Sequence, residues 1–265
     1  MRVYDILREL VIKELKVRYG RPMLGFLWAI VVPLSTALIL YAVFNIILKI
    51  SITEAPFILY LMTGVFPWRF FQDSVMGSVT SLVDNRNILK ESRVPFYAVP
   101  VAAVLVSMIT FIPALAVVIV SAAIIMHGIP VWLILLPAVL CIHFCMAAGV
   151  AVLVSAVYVF WRDMKYAVET ALLIIFYISP VFYSVSMIQG VVPGGLFRLY
   201  LASPFVSIMQ GYRVCLLKGF AAEAAAADWF ACAAVQMLVF LIVLTAAAAG
   251  MYAANRRRLA EHLSY

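Results

Sequence analysis

Two oppositely charged residues interrupt an otherwise apolar stretch of this chain. Arg69 and Asp73 stand four residues apart, which puts them one turn apart on the same face of a helix. Charges within a stretch apolar enough to cross a bilayer are costly, and they commonly mark a pathway for substrates or ions. The spacing also allows a simple ion pair that neutralises itself and only packs. Both interpretations stay open, and each requires a bundle interior or a water-filled cavity.

A second group of charges lies at the N-terminus, where Lys16, Arg18 and Arg21 end a basic, amphipathic segment that continues through Pro22 into an apolar one. Its apolar residues fall near one helical face, and its charged residues lie away from that face. We predict an interfacial helix over residues 1–21, with its cations at the lipid headgroups. The alternative is a helix packed on a protein partner. The membrane surface is favoured because an apolar span follows at once.

Several familiar chemistries are missing from the sequence. It contains neither G-x-x-x-x-G-K-[ST] nor G-x-G-x-x-G, the common phosphate-binding motifs, and no H-E-x-x-H zinc motif. On one helix His143 would point away from Cys141 and Cys145, so these three residues cannot close a metal site. We therefore predict no catalytic residue, no metal site and no cofactor bound by this chain.

The composition is that of a membrane protein. Hydrophobic residues make up 67% of the 265 residues, charged residues only 12%, and the mean hydropathy is +1.12. This apolar excess rules out a domain surrounded by water. The net charge of +7 would suggest nucleic acid as a partner of a soluble protein. Here it fits the Lys and Arg excess of cytoplasmic loops, so no nucleic-acid partner is expected.

The apolar segments predict the topology. A membrane-spanning helix needs roughly 20 apolar residues, and six segments qualify: 23–48, 56–83, 97–126, 130–160, 166–189 and 229–253. With the N-terminus inside, 14 of the 19 Lys and Arg residues fall on the cytoplasmic side. We therefore predict a single transmembrane domain over residues 1–265. It is an all-α, multi-pass protein of the cytoplasmic (inner) membrane, with both termini in the cytoplasm.

The region between the last two predicted spans is too apolar for an ordinary loop. It contains Pro193 and Pro204, yet its helix-forming stretches are too short to cross a bilayer. We predict an outer re-entrant or gate hairpin over residues 190–220.

Aromatic residues form 13% of the chain and cluster in the second and fifth predicted spans. Most membrane aromatics pack or form interfacial belts. Trp68 and Phe71 lie near the middle of their segment, however, where no belt is expected. Flat apolar rings, including those of Tyr177, Phe182 and Tyr183, would offer a sliding surface to the C–H faces of sugars.

Taken in order along the chain, these residues resemble the permeases of ABC-2 type polysaccharide exporters, the transmembrane subunits for export of O-antigen, capsule and teichoic acid. The resemblance covers nearly the whole chain. Its motifs are Lys16-Val17-Arg18-Tyr19, Leu24-Gly25-Phe26-Leu27-Trp28 with Pro33, Gly64 with Pro67-Trp68-x-Phe70-Phe71, Asn87-Ile88-Leu89-Lys90 leading to Val94-Pro95, Trp161-Arg162-Asp163, Ser179-Pro180-Val181-Phe182-Tyr183, and Ser203-Pro204 with Arg213.

The resemblance implies a six-span subunit that forms a homodimeric channel and binds two copies of a separate ATPase, which holds ATP and Mg. The substrate would be an undecaprenyl-linked polysaccharide, its pyrophosphate met by Lys16, Arg18 and Arg21. The first and fifth spans would line the channel, which adds Tyr41 and Phe44 to the channel aromatics. Residues 84–95 would form the cytoplasmic loop that docks on the ATPase, with Asn87, Lys90, Glu91, Arg93 and Pro95 as its contact residues.

Three other functions remain open. An ABC-2 exporter of a drug or a lipid shares the architecture. A membrane-embedded enzyme acting on lipid-linked sugars would need paired carboxylates at one membrane depth, and Asp73 already stands beside Arg69. A secondary carrier commonly shows inverted repeats with interrupted helices, and no convincing internal repeat is visible here.

Overall fold

The computed structural model describes residues 3–19, 25–49, 55–91, 94–220 and 236–251, and across these ranges the chain forms helices and no strands. An all-helical architecture agrees with the sequence prediction. The helices, numbered in chain order, are α1 (Val3–Tyr19), α2 (Trp28–Tyr41), α3 (Phe57–Val79), α4 (Ser81–Asp84), α5 (Arg86–Glu91), α6 (Ala98–Ile125), α7 (Leu136–Phe160), α8 (Met164–Ile178), α9 (Val185–Gln189), α10 (Gly194–Leu201), α11 (Pro204–Leu216) and α12 (Gln236–Met251).

Within the described ranges, three helical segments are long and apolar enough to cross a membrane: Trp28–Ile47, Ala98–Ile125 and Val131–Phe160. The first joins α2 to six residues of wider, π-helical turn (Ala42–Ile47), and the third joins a short 3-10 turn (Val131–Leu135) to α7. The first and the third remain mostly uncovered within one chain, whereas half of the second is buried. Uncovered apolar faces are expected where lipid or another subunit supplies the surroundings.

Helix α3 is the centre of the bundle. Of its 23 residues 17 are buried, and it contacts α2, α6, α7, α8 and α11. It ends at Val79, and α4 follows after a break at Thr80, so the predicted span 56–83 consists of two helices. The predicted loop 84–95 contains the short helix α5.

Helix α1 packs against protein along its apolar face. Leu10 lies in a second apolar cluster together with Leu82 of α4, Leu89 of α5 and Val99 of α6. The interfacial helix expected from the sequence therefore shares one small core with the segment that leads to α6. Lys13 strengthens this contact, because its Nζ donates a hydrogen bond of 2.7 Å to Oδ1 of Asn85.

The fifth predicted span, 166–189, differs most from the structure. Helix α8 has 15 residues and ends at Ile178, because Pro180 cannot continue the helical hydrogen bonds. At 1.5 Å per residue it is about 22 Å long, less than the roughly 30 Å of a hydrocarbon core. Irregular backbone over residues 179–184 then leads to the short helix α9.

The predicted hairpin 190–220 is a pair of helices, α10 and α11, joined at Ala202 and Ser203. Much of α11 is buried, and it contacts α3 and α7. Helix α11 is therefore part of the buried core and not a surface element alone. Of the sixth predicted span, 229–253, only α12 lies within the described residues.

The close contact between α3 and the irregular backbone after α8 depends on Gly64. A Cβ atom at this position would lie 2.5 Å from the carbonyl oxygen of Val181, and a backbone oxygen cannot move aside easily. Gly211 is a suitable comparison, since a Cβ atom there would meet the methyl groups of Val139 at an ordinary 3.5 Å.

We expect Gly64→Ala to destabilise the protein by about 1–3 kcal/mol through overpacking. Gly211→Ala should cost less than about 0.5 kcal/mol. Thermal unfolding of the purified protein in mild detergent, followed by size-exclusion chromatography, measures both. Equal midpoints for the two variants would contradict the close packing at Gly64.

Candidate functional site

A cavity of about 430 Å³ opens between α1, α2 and α3. We call it the arginine cavity, because Arg18 of α1 and Arg69 of α3 both line it, together with Asp73. No sequence pattern placed Arg18 beside the pair in α3, since 51 positions separate Arg18 from Arg69. The structure thus joins two groups of charges that the sequence suggested separately.

Arg18 reaches into the bundle. Its Nη1 donates a hydrogen bond of 3.2 Å to Oγ of Ser107 on α6. Its Nη2 lies against Gly77 of α3, where a Cβ atom would come within 2.2 Å of that nitrogen. Glycine at position 77 therefore leaves the space that the guanidinium occupies.

Arg69 and Asp73 form the ion pair that their spacing predicts, with 3.1 Å between Nε of Arg69 and Oδ2 of Asp73. Both side chains are about two-fifths exposed, which fits the cavity wall better than a sealed interior. The same two residues border a smaller recess that adds Ser107 and Thr110 of α6. The pair thus lies at a cavity within the bundle, as charges in an apolar segment require.

Two further residues, Lys16 and Arg21, were predicted to bind the phosphates. Lys16 is exposed on α1 and does not line the arginine cavity. Arg21 lies outside the described residues. Of the two such cations within the described residues, Lys16 and Arg18, only Arg18 lines the cavity.

The predicted ATPase-docking loop presents polar side chains on one side and apolar ones on the other. Asn87 and Lys90 are exposed, whereas Leu89 is buried in the cluster with α1. Pro95 is partly exposed. Arg93 and the side chain of Glu91 lie outside the described residues. Packing of the buried side of α5 against α1 thus fixes the orientation of its exposed side.

The predicted channel aromatics separate into two groups. Trp68 and Phe71 are 4% and 1% exposed, and their ring centroids lie 5.8 Å and 5.0 Å from that of Phe205. Both rings pack in the interior of the single chain. Trp68 and Phe71 lie near the middle of α3, where the helix is surrounded by other helices.

The second group forms a partly exposed surface where the π-helical turn after α2 meets the end of α8. The ring of Phe182 lies 5.3 Å from Phe44, 6.0 Å from Tyr177 and 5.1 Å from Tyr183, measured between centroids. Tyr41 lies nearby in sequence and contacts Phe57 at 6.3 Å. We call Phe44, Tyr177, Phe182 and Tyr183 the aromatic patch.

Arg213 holds the backbone beneath this patch and was not singled out as a site residue from the sequence. The side chain is fully buried, and its guanidinium carbon lies 3.6 Å above the ring of Tyr60. It donates hydrogen bonds to the carbonyl oxygens of Pro180 and Val181 and, over 3.1 Å, to Oε1 of Gln210.

Tyr60 supports the same segment from α3. Its hydroxyl donates a hydrogen bond of 2.9 Å to the carbonyl oxygen of Tyr183. Gly64 lies one turn along the same helix, against Val181. Arg213, Tyr60 and Gly64, all distant in sequence from the Ser179–Tyr183 segment, therefore fix its course. A single cation in the otherwise uncharged α11 was a sequence signal of the Arg213 contacts.

His143 and the two neighbouring cysteines of α7 lie in different surroundings. His143 is buried, with Nδ1 at 3.1 Å from the hydroxyl of Tyr212, while Cys141 and Cys145 are exposed. The three side chains do not converge, and the described residues contain no His, Cys, Asp and Glu group suited to a metal ion.

Comparison with known proteins gives consistent similarities. Residues 6–217 match the family described as ABC-2 type transporter. The chain is 28% identical over 260 residues to the "O-antigen export system permease protein RfbA" of Myxococcus xanthus, with 97% of this chain and 95% of that protein covered. It is 27% identical over 220 residues to the protein of the same name from Klebsiella pneumoniae, with 82% of each covered.

A shorter similarity links the chain to a capsule protein. It is 30% identical over 79 residues to the "Polysialic acid transport protein KpsM" of Escherichia coli, covering 30% of this chain and 31% of that protein.

The Arg213 contacts lead to a stability prediction. Arg213→Lys keeps the charge but loses the planar fork that reaches several acceptors while lying over Tyr60. We expect it to destabilise the purified protein by about 1–3 kcal/mol, in the range for hydrogen bonds to charged groups. The matched control is Arg198→Lys on the neighbouring helix α10, where the arginine is exposed and the expected change is close to zero. Thermal unfolding that affects both variants alike would contradict the assignment.

Proposed function

The chain belongs to the ABC-2 type transporter family, and from this premise we propose that it is the membrane subunit of an exporter that moves a polysaccharide across the cytoplasmic membrane. The observation that carries the proposal is the similarity to an O-antigen export permease over almost the full length of both proteins. The partial similarity to a polysialic acid transport protein points to the same class of substrate.

Energy for export would come from a separate ATPase. The chain has no glycine-rich nucleotide-binding motif of the two common kinds, and the family to which it belongs consists of transporters. We propose two ATPase copies for each homodimer of this chain. Co-purification from the native membrane tests this directly. A stoichiometric subunit that hydrolyses ATP is the expected companion, and an intact permease dimer without one would count against the proposal.

The topology proposed for function has six spans with both termini in the cytoplasm. The large Lys and Arg excess on one side supports this orientation. Helix α1, α4 and α5 would then lie on the cytoplasmic side, and the α10–α11 hairpin would form the outer gate.

The α5 segment would dock on the ATPase through Asn87 and Lys90. Leu89 packs in one apolar cluster with Leu10 of α1, and Lys13 bonds to Asn85. A force applied to α5 would therefore move α1 as well. Binding and hydrolysis of ATP would shift the population of conformations of α1 and α5 together. The size of the shift would depend on how much the affinity for the ATPase differs between those conformations.

The substrate would be a polymer linked to undecaprenyl pyrophosphate, approached from the side of α1 where Lys16 and Arg18 lie. The aromatic patch, together with Tyr41, would face the sugar chain, and α2 and α8 would border the channel in the homodimer. Support comes from the partial exposure of these rings and from the largely uncovered faces of both helices.

The docking segment can be tested by charge reversal. We expect the Lys90→Glu/Arg93→Glu double variant to lose most ATPase association, by about tenfold or more, because charge reversal at an interface replaces attraction with repulsion. Membrane insertion should stay normal. The amount of ATPase recovered with the tagged permease measures the effect.

Arg162→Glu, on an exposed residue outside this segment, serves as the control. Full recovery of the ATPase with the double variant would exclude residues 84–95 as the docking site.

The aromatic patch can be tested by truncation. We expect Phe182→Ala/Tyr183→Ala to reduce polymer export at least several-fold while the permease still assembles with its ATPase. Stacking of apolar sugar faces on rings is lost, and no catalytic group is touched. Surface polymer measured by immunoblot reports export.

Tyr166→Ala removes an exposed ring from the opposite end of α8 and is expected to leave export unchanged. Normal export in the double variant would mean that Phe182 and Tyr183 only pack.

A further inference from the structure

We propose that Arg213 and Tyr60 are positioning residues for Phe182: together they hold the backbone on both sides of this ring and so set how it faces the exported polymer. The inference rests on the proposed function, because it takes the aromatic patch to be the surface that meets the sugar chain. It assigns a role in export to two fully buried residues that lie outside that surface.

Phe182 is the centre of the aromatic patch. Its ring centroid lies 5.3 Å from that of Phe44, 5.9 Å from Phe176, 6.0 Å from Tyr177 and 5.1 Å from Tyr183. All four pairs are tilted or edge-to-face, the arrangements that aromatic rings prefer. Because the ring contacts both α8 and the turn after α2, a change in its orientation would change the shape of the whole patch.

The two carbonyl groups that flank Phe182 both accept hydrogen bonds from outside the segment. The carbonyl oxygen of Val181, before the ring, accepts a bond of 3.2 Å from Nη2 of Arg213. The carbonyl oxygen of Tyr183, after the ring, accepts a bond of 2.9 Å from the hydroxyl of Tyr60. The backbone of Phe182 is therefore held at both ends.

The two donors also contact each other. The guanidinium carbon of Arg213 lies 3.6 Å from the centroid of the Tyr60 ring, so the face of the ring compensates part of the positive charge. Arg213 belongs to α11 and Tyr60 to α3. The pair thus joins two helices of the core and holds the Phe182 backbone from that joint, and a displacement of one donor would disturb the other.

The break after α8 makes such donors necessary. Pro180 has no N–H, and carbonyl oxygens near a helix end have no partner within the helix. The hydroxyl of Tyr183 donates to the carbonyl oxygens of Tyr177 and Ile178, and Arg213 donates to that of Pro180. Non-helical backbone at membrane depth is tolerated only where protein or water supplies such partners. The segment is irregular but well bonded, as required if one ring is to keep one orientation.

Packing alone does not account for an arginine at position 213. Burial of a guanidinium is costly, and an apolar side chain would fill the space without that cost. A guanidinium offers several donors in one plane. Here Nη2 reaches the successive carbonyl oxygens of Pro180 and Val181, while Nη1 donates to Oε1 of Gln210 over 3.1 Å. The residue type therefore fits a requirement for backbone geometry better than a requirement for volume.

Tyr60→Phe tests the role with the smallest change, since it keeps the ring beneath Arg213 and removes the hydroxyl that donates to Tyr183. Tyr212→Phe is the matched control, because Tyr212 is also fully buried and its hydroxyl lies 3.1 Å from Nδ1 of His143 on α7. Surface polymer, divided by the amount of assembled permease and ATPase, measures export. We expect Tyr60→Phe to reduce export about threefold or more, through loss of one buried hydrogen bond, and Tyr212→Phe to leave it unchanged.

A double variant shows whether Tyr60 acts through Phe182. If it does, Tyr60→Phe should reduce export by less than about 1.5-fold once Phe182→Ala is present, because the ring to be positioned is gone. A general loss of stability would instead reduce export by the same factor with and without the ring.

A second readout needs no polymer. Phe182→Cys is labelled with a membrane-impermeant maleimide in the purified permease–ATPase complex, and the labelling of complexes without this substitution is subtracted. We expect Tyr60→Phe to raise the labelling rate about threefold or more, because the released backbone opens locally. Tyr212→Phe should not raise it. Val131→Cys, at an exposed residue of the turn before α7, should be labelled equally fast with and without Tyr60→Phe.

The outcomes separate this inference from the proposed function. A labelling rate at residue 182 that does not rise in Tyr60→Phe, or that rises equally in Tyr212→Phe, would overturn the positioning role and leave polysaccharide export intact. Export losses of Tyr60→Phe and Phe182→Ala that multiply would do the same. Normal export by Phe182→Ala would count against the aromatic patch as the polymer-facing surface and against this inference with it. If the wild-type complex exported no polysaccharide, the proposed function would fail, whereas the labelling rates would still decide whether Tyr60 positions residue 182.

Discussion

A guanidinium inside a bundle needs protein partners that compensate its charge, and three arginines within the described residues find such partners on or beside the same helix. Arg213 lies over Tyr60 and donates to backbone carbonyl oxygens. Arg69 pairs with Asp73. Arg18 binds Ser107 and lies against Gly77. Because Tyr60, Arg69 and Gly77 all belong to α3, this helix is the element around which the charged residues of the bundle are arranged.

The small residues of α3 complete this arrangement. Gly64 lets the backbone at Val181 approach, and Gly77 lets a guanidinium approach. In a membrane, where lipid is as apolar as a leucine side chain, close approach through small residues and polar contacts replaces the hydrophobic driving force between helices. The irregular backbone after α8 therefore packs on α3 at Gly64, and the C-terminal part of α1 packs on it at Gly77. The two glycines lie 13 residues apart along α3.

The sequence predicted the features that depend on local pattern. Apolar length indicated the segments around α2, α6 and α7, amphipathic periodicity indicated α1, and the four-residue spacing indicated the Arg69–Asp73 pair. The sequence did not predict which side of each helix is buried or which residues far apart in the chain contact each other. Trp68 and Phe71 lie in the core of the single chain, and one sequence does not tell which side of α3 is covered. The end of α8 at Ile178 was signalled by Pro180, but apolar length outweighed that signal. Two arrangements could be seen only in the tertiary structure. They are the position of Arg18 in one cavity with Arg69 and Asp73, and the hydrogen bond of Arg213 to the Pro180 backbone.

Helix α1 connects two regions that a transporter must coordinate. Lys13 bonds to Asn85 next to α5, and Arg18 enters the arginine cavity. Five residues separate them, about 7.5 Å along the helix axis. Because Leu10 is buried with Leu89 of α5, α1 cannot shift independently of that segment without opening an apolar cluster. A displacement of α5 would therefore change the position of Arg18 relative to Arg69 and Asp73. In the function proposed here, the nucleotide state of the ATPase would alter the charge arrangement in the cavity through this one helix, and a ligand in the cavity would reciprocally favour one position of α5.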